Sequence, residues 1–229
     1  NEEEAEAILG NSVTLLILFA VGLTVFGMIF KKPVLRLLGA SSVTLPYANE
    51  YITIYLLGTV FVLLSLGLNN FINAQGFAKT GMCTVAIGAG LNIVLDPLFI
   101  FVFHMGVRGA AVATVISQFA AAVWTVHFLT GKKALIRIRK KQLRLQGERV
   151  KKMLALGLSG FTMSVTNSVV QMVCNATLQL HGGDVYVGIM TIINSVREIV
   201  SLPVSGFSGA AQPVLGYNYG AKLYERVKR

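Results

Sequence analysis

Charge is scarce in this chain. Only 13% of its 229 residues are Asp, Glu, Lys or Arg, and just ten are acids, whereas soluble domains carry about a quarter charged residues. That scarcity excludes a solvated surface wrapped around one apolar core, and a hydrophobic content of 54% excludes disorder. Cysteine is nearly absent too. Cys83 and Cys174 both fall in apolar stretches and read as small buried thiols rather than a disulfide or a metal pair. His104, His127 and His181 are scattered and spell no metal-ligand spacing. There is no G-x-x-x-x-G-K-[ST] loop, no H-E-x-x-H and no Ser/His/Asp arrangement. ATP hydrolysis and the common hydrolytic chemistries lose their machinery, so the chain reads as no enzyme, with no cofactor.

What the chain has in abundance is long apolar runs almost free of charge. A helix needs about 20 apolar residues to cross roughly 30 Å of hydrocarbon, and six stretches reach that length: residues 12–30, 52–71, 81–103, 109–130, 153–180 and 186–211. The expected fold class is therefore all-α, a polytopic integral membrane protein. Within lipid only helices and closed barrels satisfy their own backbone groups, and the alternating ten-residue segments of a barrel are missing. Asn1 opens the chain, and no basic region or small-residue cleavage site precedes the first span. The sequence is expected to be a piece of a longer chain, without a signal peptide. Glu2, Glu3, Glu4 and Glu6 suit the N-terminus of the first helix.

The 20 Lys and Arg against ten acids invite a nucleic-acid reading until their positions are considered. With successive loops assigned to alternate sides, one side receives Lys79, the ten basic residues between Lys132 and Lys152, and Lys222, Arg226, Lys228 and Arg229, a total of 15. The other receives Lys31, Lys32, Arg36 and Arg108, a total of 4, while Arg197 lies inside the sixth run. The positive-inside rule places the richer side, and with it both ends of the fragment, in the cytoplasm. The segment 131–152 then reads as a basic connector at the membrane surface, touching anionic lipid headgroups. It lacks the interleaved aromatics of a nucleic-acid surface, so no nucleic-acid partner is expected.

Ionisable groups at membrane depth are costly and mark function by default. Asp96 stands in the middle of the third run, with Asn92 one turn before it on the same face and Pro97 directly after it. Pro97 has no N–H, which frees the carbonyl of Ile93 and makes a bend in the helix. A carboxylate, an amide oxygen and a freed carbonyl suit Na+ or an exchangeable proton, although a carboxylate that only locks helix packing is an alternative. No other metal site is expected. In the fifth run Asn167, Gln171, Asn175 and Gln179 recur every fourth residue, forming one polar stripe. The sixth run repeats the device with Asn194, Glu198, Ser201, Ser205 and Ser208, interrupted by Pro203, a second candidate for helix bending. Glu198 and Arg197 point about 100° apart and need separate partners.

Three motifs carry a family resemblance. Asn92-Ile93-Val94-Leu95-Asp96-Pro97-Leu98-Phe99-Ile100, the run from Gly106 to Gln118, and Gln212-Pro213-Val214-Leu215-Gly216-Tyr217-Asn218-Tyr219-Gly220-Ala221 resemble segments of the multidrug and toxic compound extrusion (MATE) family. The resemblance implies a twelve-helix, two-lobe transporter of the plasma (inner) membrane that exports drugs or toxins, cationic or polyaromatic, by antiport against Na+ or H+. It implies that this chain is a fragment covering helices three to eight: residues 1–130 from the N-lobe, 131–152 connecting the lobes, and 153–229 the first two helices of the C-lobe. The remainder of the same transporter would then be its partner. It further implies a cation site from Asn92, Asp96 and Thr114, completed in the family by an acid of the first helix. Glu198, with Asn194, Asn167, Gln171 and Asn175, is the candidate C-lobe counterpart. A flippase for lipids or lipid-linked oligosaccharides, from the same broad superfamily, is the alternative. It would require a cationic cavity, and Arg197 is the one basic residue within a run.

Overall fold

The computed structural model describes residues 2–228, all of whose regular structure is helical. Helix α1 (Glu2–Leu37) carries Glu2, Glu3 and Glu4 in its first turn and Arg36 in its last, the arrangement that complements a helix dipole at both ends. Helix α2 (Leu45–Leu57) carries Pro46 in its first turn, where the missing N–H needs no partner. Helix α3 (Thr59–Ala74) follows at once, bent 58° from α2. The sequence suggests one straight span over 52–71; the chain breaks at Gly58 instead. The Gly58 N–H bonds to the Tyr55 carbonyl at 3.0 Å, a tightened three-residue turn, and a Cβ on Gly58 would lie 2.5 Å from Val115 Cγ2. Glycine permits both the turn and the approach of the helix carrying Val115.

Helix α4 (Ala78–Pro97) runs into a π-helical turn over Leu98–Val102. Pro97 cannot donate the next α-helical bond, and the ladder re-forms with longer spacing: Phe103 N–H bonds to Leu98 O at 3.0 Å. Helix α5 (Gly106–Thr130) follows, burying Gly109, Ala113, Ser117 and Ala121 at four-residue spacing. Small side chains on one face let α4 and α3 approach closely, and α4 and α3 are its main neighbours.

By length and apolarity four helices among the described residues are fit to cross a membrane, and five if the bent α2–α3 pair counts as one. Six separate spans are not resolved, because the last two expected runs lie in one helical element, α6 (Gly147–Gly220), whose non-helical residue is Gly183 with φ 62° and ψ −161°. At 1.5 Å per residue its 74 residues would stretch roughly 110 Å if straight, far beyond the roughly 30 Å of a hydrocarbon core. The expected loop between those runs is reduced to the Gly182–Gly183 pair. Helical dihedrals continue through Pro203 and Pro213, so the interruption in α6 falls on a glycine with positive φ rather than on a proline. Short α7 (Tyr224–Lys228) ends the described chain.

The chain divides into two compact units, Asn1–Ala176 and Thr177–Arg229. The first has a buried cluster of Leu9, Val13, Leu68, Ile72 and Leu129, against which Phe77, Phe128, Ile136, Ile138 and Leu143 pack. Three of those residues belong to the basic connector, which is therefore a folded strap and not a solvated loop. Most of its Lys and Arg side chains are exposed, whereas Ala134 is buried and Ile136 and Ile138 are half-buried. In α6 no residue is buried, and side chains such as Leu156 at 83% and Phe207 at 80% exposure present the kind of apolar surface that belongs against lipid or other helices.

Candidate functional site

Asn92, Asp96 and Thr114 come together. Asn92 Nδ2 donates to Asp96 Oδ1 at 3.1 Å and lies 3.5 Å from Thr114 Oγ1. The first contact follows from the i, i+4 spacing on α4. The second exists because α5 packs its small-residue face on α4: a Cβ on Gly109 would stand 2.9 Å from the Phe99 backbone. The Thr114 hydroxyl proton is directed to Ala110 O at 2.9 Å, which turns the Thr114 oxygen lone pairs toward Asn92. Asn92 and Asp96 are half-buried. Two acceptor oxygens of different charge are thus bridged by one amide, and a cation or proton arriving at Asp96 competes directly with that amide.

Below this trio, towards the end of the bundle that carries the connector, α3, α4 and α5 line a half-open cavity of about 230 Å³. Asn92 and Thr114 line its upper part; Ser65, Asn69, Thr84, Ser117 and Gln118 supply polar groups further down. Ser65 Oγ donates to Gln118 Oε1 at 2.7 Å. The Asn69 Oδ1 and Ser117 Oγ atoms are buried with no hydrogen-bond partner among the described residues. The motif reading missed Ser65, Asn69 and Gln118 as a group. The signal was present in the Ser65-Asn69-Asn73 spacing that runs through the end of the second run and just past it, the same four-residue repeat that marks the fifth.

The polar stripe of α6 is partly assembled. Gln171 Nε2 donates to Asn175 Oδ1 at 3.2 Å, and Asn175 Nδ2 donates to Leu38 O at 3.4 Å. Asn167 is exposed, as are Arg197 and Glu198, while Asn194 is half-buried. Among the described residues neither Arg197 nor Glu198 forms an ion pair. No group of three or more His, Cys, Asp or Glu is placed to hold a metal ion among the described residues.

A second polar assembly lies where the connector meets α1. Asn11 Nδ2 donates to Ala7 O at 2.9 Å and to Gln142 O and Arg144 O at 3.3 Å, and Asn11 Oδ1 accepts from Gln146 N–H at 2.8 Å. Thr14 Oγ1 donates to Leu143 O at 2.7 Å. Glu6, placed by the sequence among the acids of a helix start, is nearly buried and pairs with Arg139 at 2.7 Å. A further ion pair, Arg108 to Glu50 at 2.9 Å, ties the start of α5 to α2.

Three similarities bear on what this arrangement belongs to. The multidrug export protein MepA of Staphylococcus aureus is 28% identical over 192 residues, covering 84% of this chain and 42% of MepA. A solved chain described as protein A is 35% identical with a TM-score of 0.93, covering 99% of this chain and 51% of that one. A MOP superfamily transporter from Pyrococcus furiosus superposes with a TM-score of 0.88 at 26% identity, covering 99% of this chain and 50% of its own. The chain thus spans about half the length of the proteins it matches. Residues 1–98 and 160–229 match the MatE family model, which takes in both the Asn92–Asp96 pair and the whole of the polar stripe in α6: the chain belongs to the MATE family of membrane transporters.

Proposed function

We propose that this chain is half of a secondary active transporter that exports cationic or polyaromatic small molecules against Na+ or H+, and that Asp96 is its coupling acid. The observation that carries this reading is the Asn92 amide shared between Asp96 and Thr114 at 3.1 and 3.5 Å. Loading Asp96 with a proton or Na+ removes its negative charge and weakens its claim on the amide. Directly beyond Asp96, Pro97 and the π-helical turn leave α4 with a weakened backbone ladder, so release of the amide acts beside the most deformable point of the helix. Coupling then requires that ion and drug favour different states, since a ligand with equal affinity for both shifts nothing.

In the finer reading the chain supplies six spans, helices three to eight of the family fold: 1–130 from the N-lobe, 131–152 as connector and 153–229 opening the C-lobe. Gly183 is then the turn between the last two spans, and both fragment ends lie in the cytoplasm. The 15-to-4 distribution of Lys and Arg supports that orientation. Asn167, Gln171, Asn175, Asn194 and Glu198 are the candidate polar residues of the C-lobe helices.

The test is efflux of a fluorescent organic cation from proteoliposomes holding the full-length transporter, under an imposed Na+ gradient or pH gradient. Dye movement driven by either gradient supports the reading. Failure of both, with transfer of a labelled anionic lipid between leaflets, would replace it with the flippase.

A further inference from the structure

The cavity beneath Asn92 is larger than the coupling trio needs and opens at its side past exposed Leu66, Val85 and Ala89; its polar groups are hydroxyls and amides set among apolar side chains, with no charged side chain on its wall. Two of its polar atoms, Ser117 Oγ and Asn69 Oδ1, are buried without a hydrogen-bond partner among the described residues, and Ser117 is only 1% exposed. A buried polar group left unsatisfied costs about 1–3 kcal/mol, and the usual remedy is ordered water, which needs two to four polar partners and about 30 Å³ per molecule. The cavity's 230 Å³ meets both needs several times over. Its polar groups are strung along the bundle: Asn92 and Thr114 at one end, Ser117 and Gln118 one turn on, Asn69 and Thr84 at the other end. From Asn92 to Thr84 is eight residues of α4, about 12 Å. Thr84 is 3% exposed and turns its hydroxyl to Thr80 O at 3.4 Å, so the row continues towards the connector end, where Gln75 Oε1 accepts from the Ile136 N–H at 2.9 Å.

We propose that this cavity is a water-filled conduit through which the coupling ion passes between Asp96 and the connector end of the helices. The inference rests on the export reading for the identity of the traveller, but the hydration itself does not. Neutral oxygens suit a passage: they solvate a hydronium or hydrated Na+ without the carboxylate that would hold it. Gly88 is where the passage is most easily closed. A Cβ there meets only Ala121 Cβ, at 3.7 Å, so a longer side chain enters the cavity and not a neighbouring backbone.

Two measurements on the full-length transporter, in a background with Cys83→Ala and Cys174→Ala, test this. Ser117→Cys and Ala113→Cys are equally buried on α5, but only Ser117 lines the cavity. The water-soluble thiol reagent 2-aminoethyl methanethiosulfonate is expected to modify Ser117→Cys at least about tenfold faster than Ala113→Cys, because the reacting thiolate needs water; equal rates would overturn the hydration. Gly88→Leu is expected to slow gradient-driven efflux about tenfold while dye binding to the solubilised protein is kept, and Ser117→Val, a smaller intrusion, to slow it less. Parental efflux rates in both would overturn the conduit. Parental efflux by an Asp96 variant would instead remove Asp96 as the coupling acid and leave the labelling result standing.

Discussion

Asn92 Nδ2 and Asp96 Oδ1 are 3.1 Å apart on one face of α4, and Thr114 of α5 stands 3.5 Å from the same nitrogen. One amide therefore links a carboxylate to a neighbouring helix, and what happens at the carboxylate is felt across the α4–α5 contact. Replacing Thr114 by Val removes the acceptor and keeps the shape; replacing it by Ser keeps the acceptor. Thr114→Val is expected to lower ion-driven efflux several-fold, and Thr114→Ser to retain most of it. The check is efflux rate per transporter at matched membrane amounts.

The α4–α5 contact itself depends on Gly109. A Cβ there would press on the Phe99 carbonyl group, at 2.9 Å from both its carbon and oxygen, and backbone atoms of a packed turn cannot swing aside. Gly109→Val is expected to destabilise the transporter by about 1–3 kcal/mol, the usual cost of overpacking, and to depress efflux by parting Thr114 from Asn92. Thermal unfolding in detergent reads the first effect; an unchanged midpoint would contradict it.

Asn11 makes four hydrogen bonds, three of them to the connector. Asn11→Ala leaves Gln142 O, Arg144 O and the Gln146 N–H without that partner, so a loss of about 1–3 kcal/mol is expected. Protease cleavage within 140–146 is expected to quicken in the same variant, since these residues are held to α1 chiefly through Asn11 and Thr14.

The Glu6–Arg139 pair is lopsided: the Glu6 side chain is 9% exposed and that of Arg139 63%. Removing Arg139 strands a nearly buried carboxylate, whereas removing Glu6 leaves a guanidinium that water already reaches. Arg139→Ala is expected to lower the unfolding midpoint clearly, and Glu6→Gln to cost less than about 1 kcal/mol, in the range of exposed ion pairs. Equal losses would contradict the asymmetry.

How far these features were legible in the sequence depends on the distance over which each is determined. The Asn92–Asp96 contact is local, fixed by four residues of helix, and Thr114 joined it through the family resemblance. The small-residue face of α5 was equally legible, because Gly109, Ala113 and Ser117 are small whichever helix they meet. Asn11 was not: it is an ordinary polar residue near a helix start, and its worth comes from a strap some 130 positions away. The break at Gly58 escaped for a related reason. Hydropathy is continuous across 52–71, and only the passage of Val115 explains why a glycine and a bend sit there. Gly183 is the converse case, a turn so short that two apolar runs remain one helical element around a single residue.

The central claim is that Asp96 couples an ion gradient to export. It is tested most directly by measuring gradient-driven efflux of an organic cation in the full-length transporter carrying Asp96→Asn, which keeps size and hydrogen bonding but cannot gain or lose the charge. Loss of gradient-driven efflux at an unchanged amount of protein in the membrane is the expected result. Efflux at the parental rate would contradict the account.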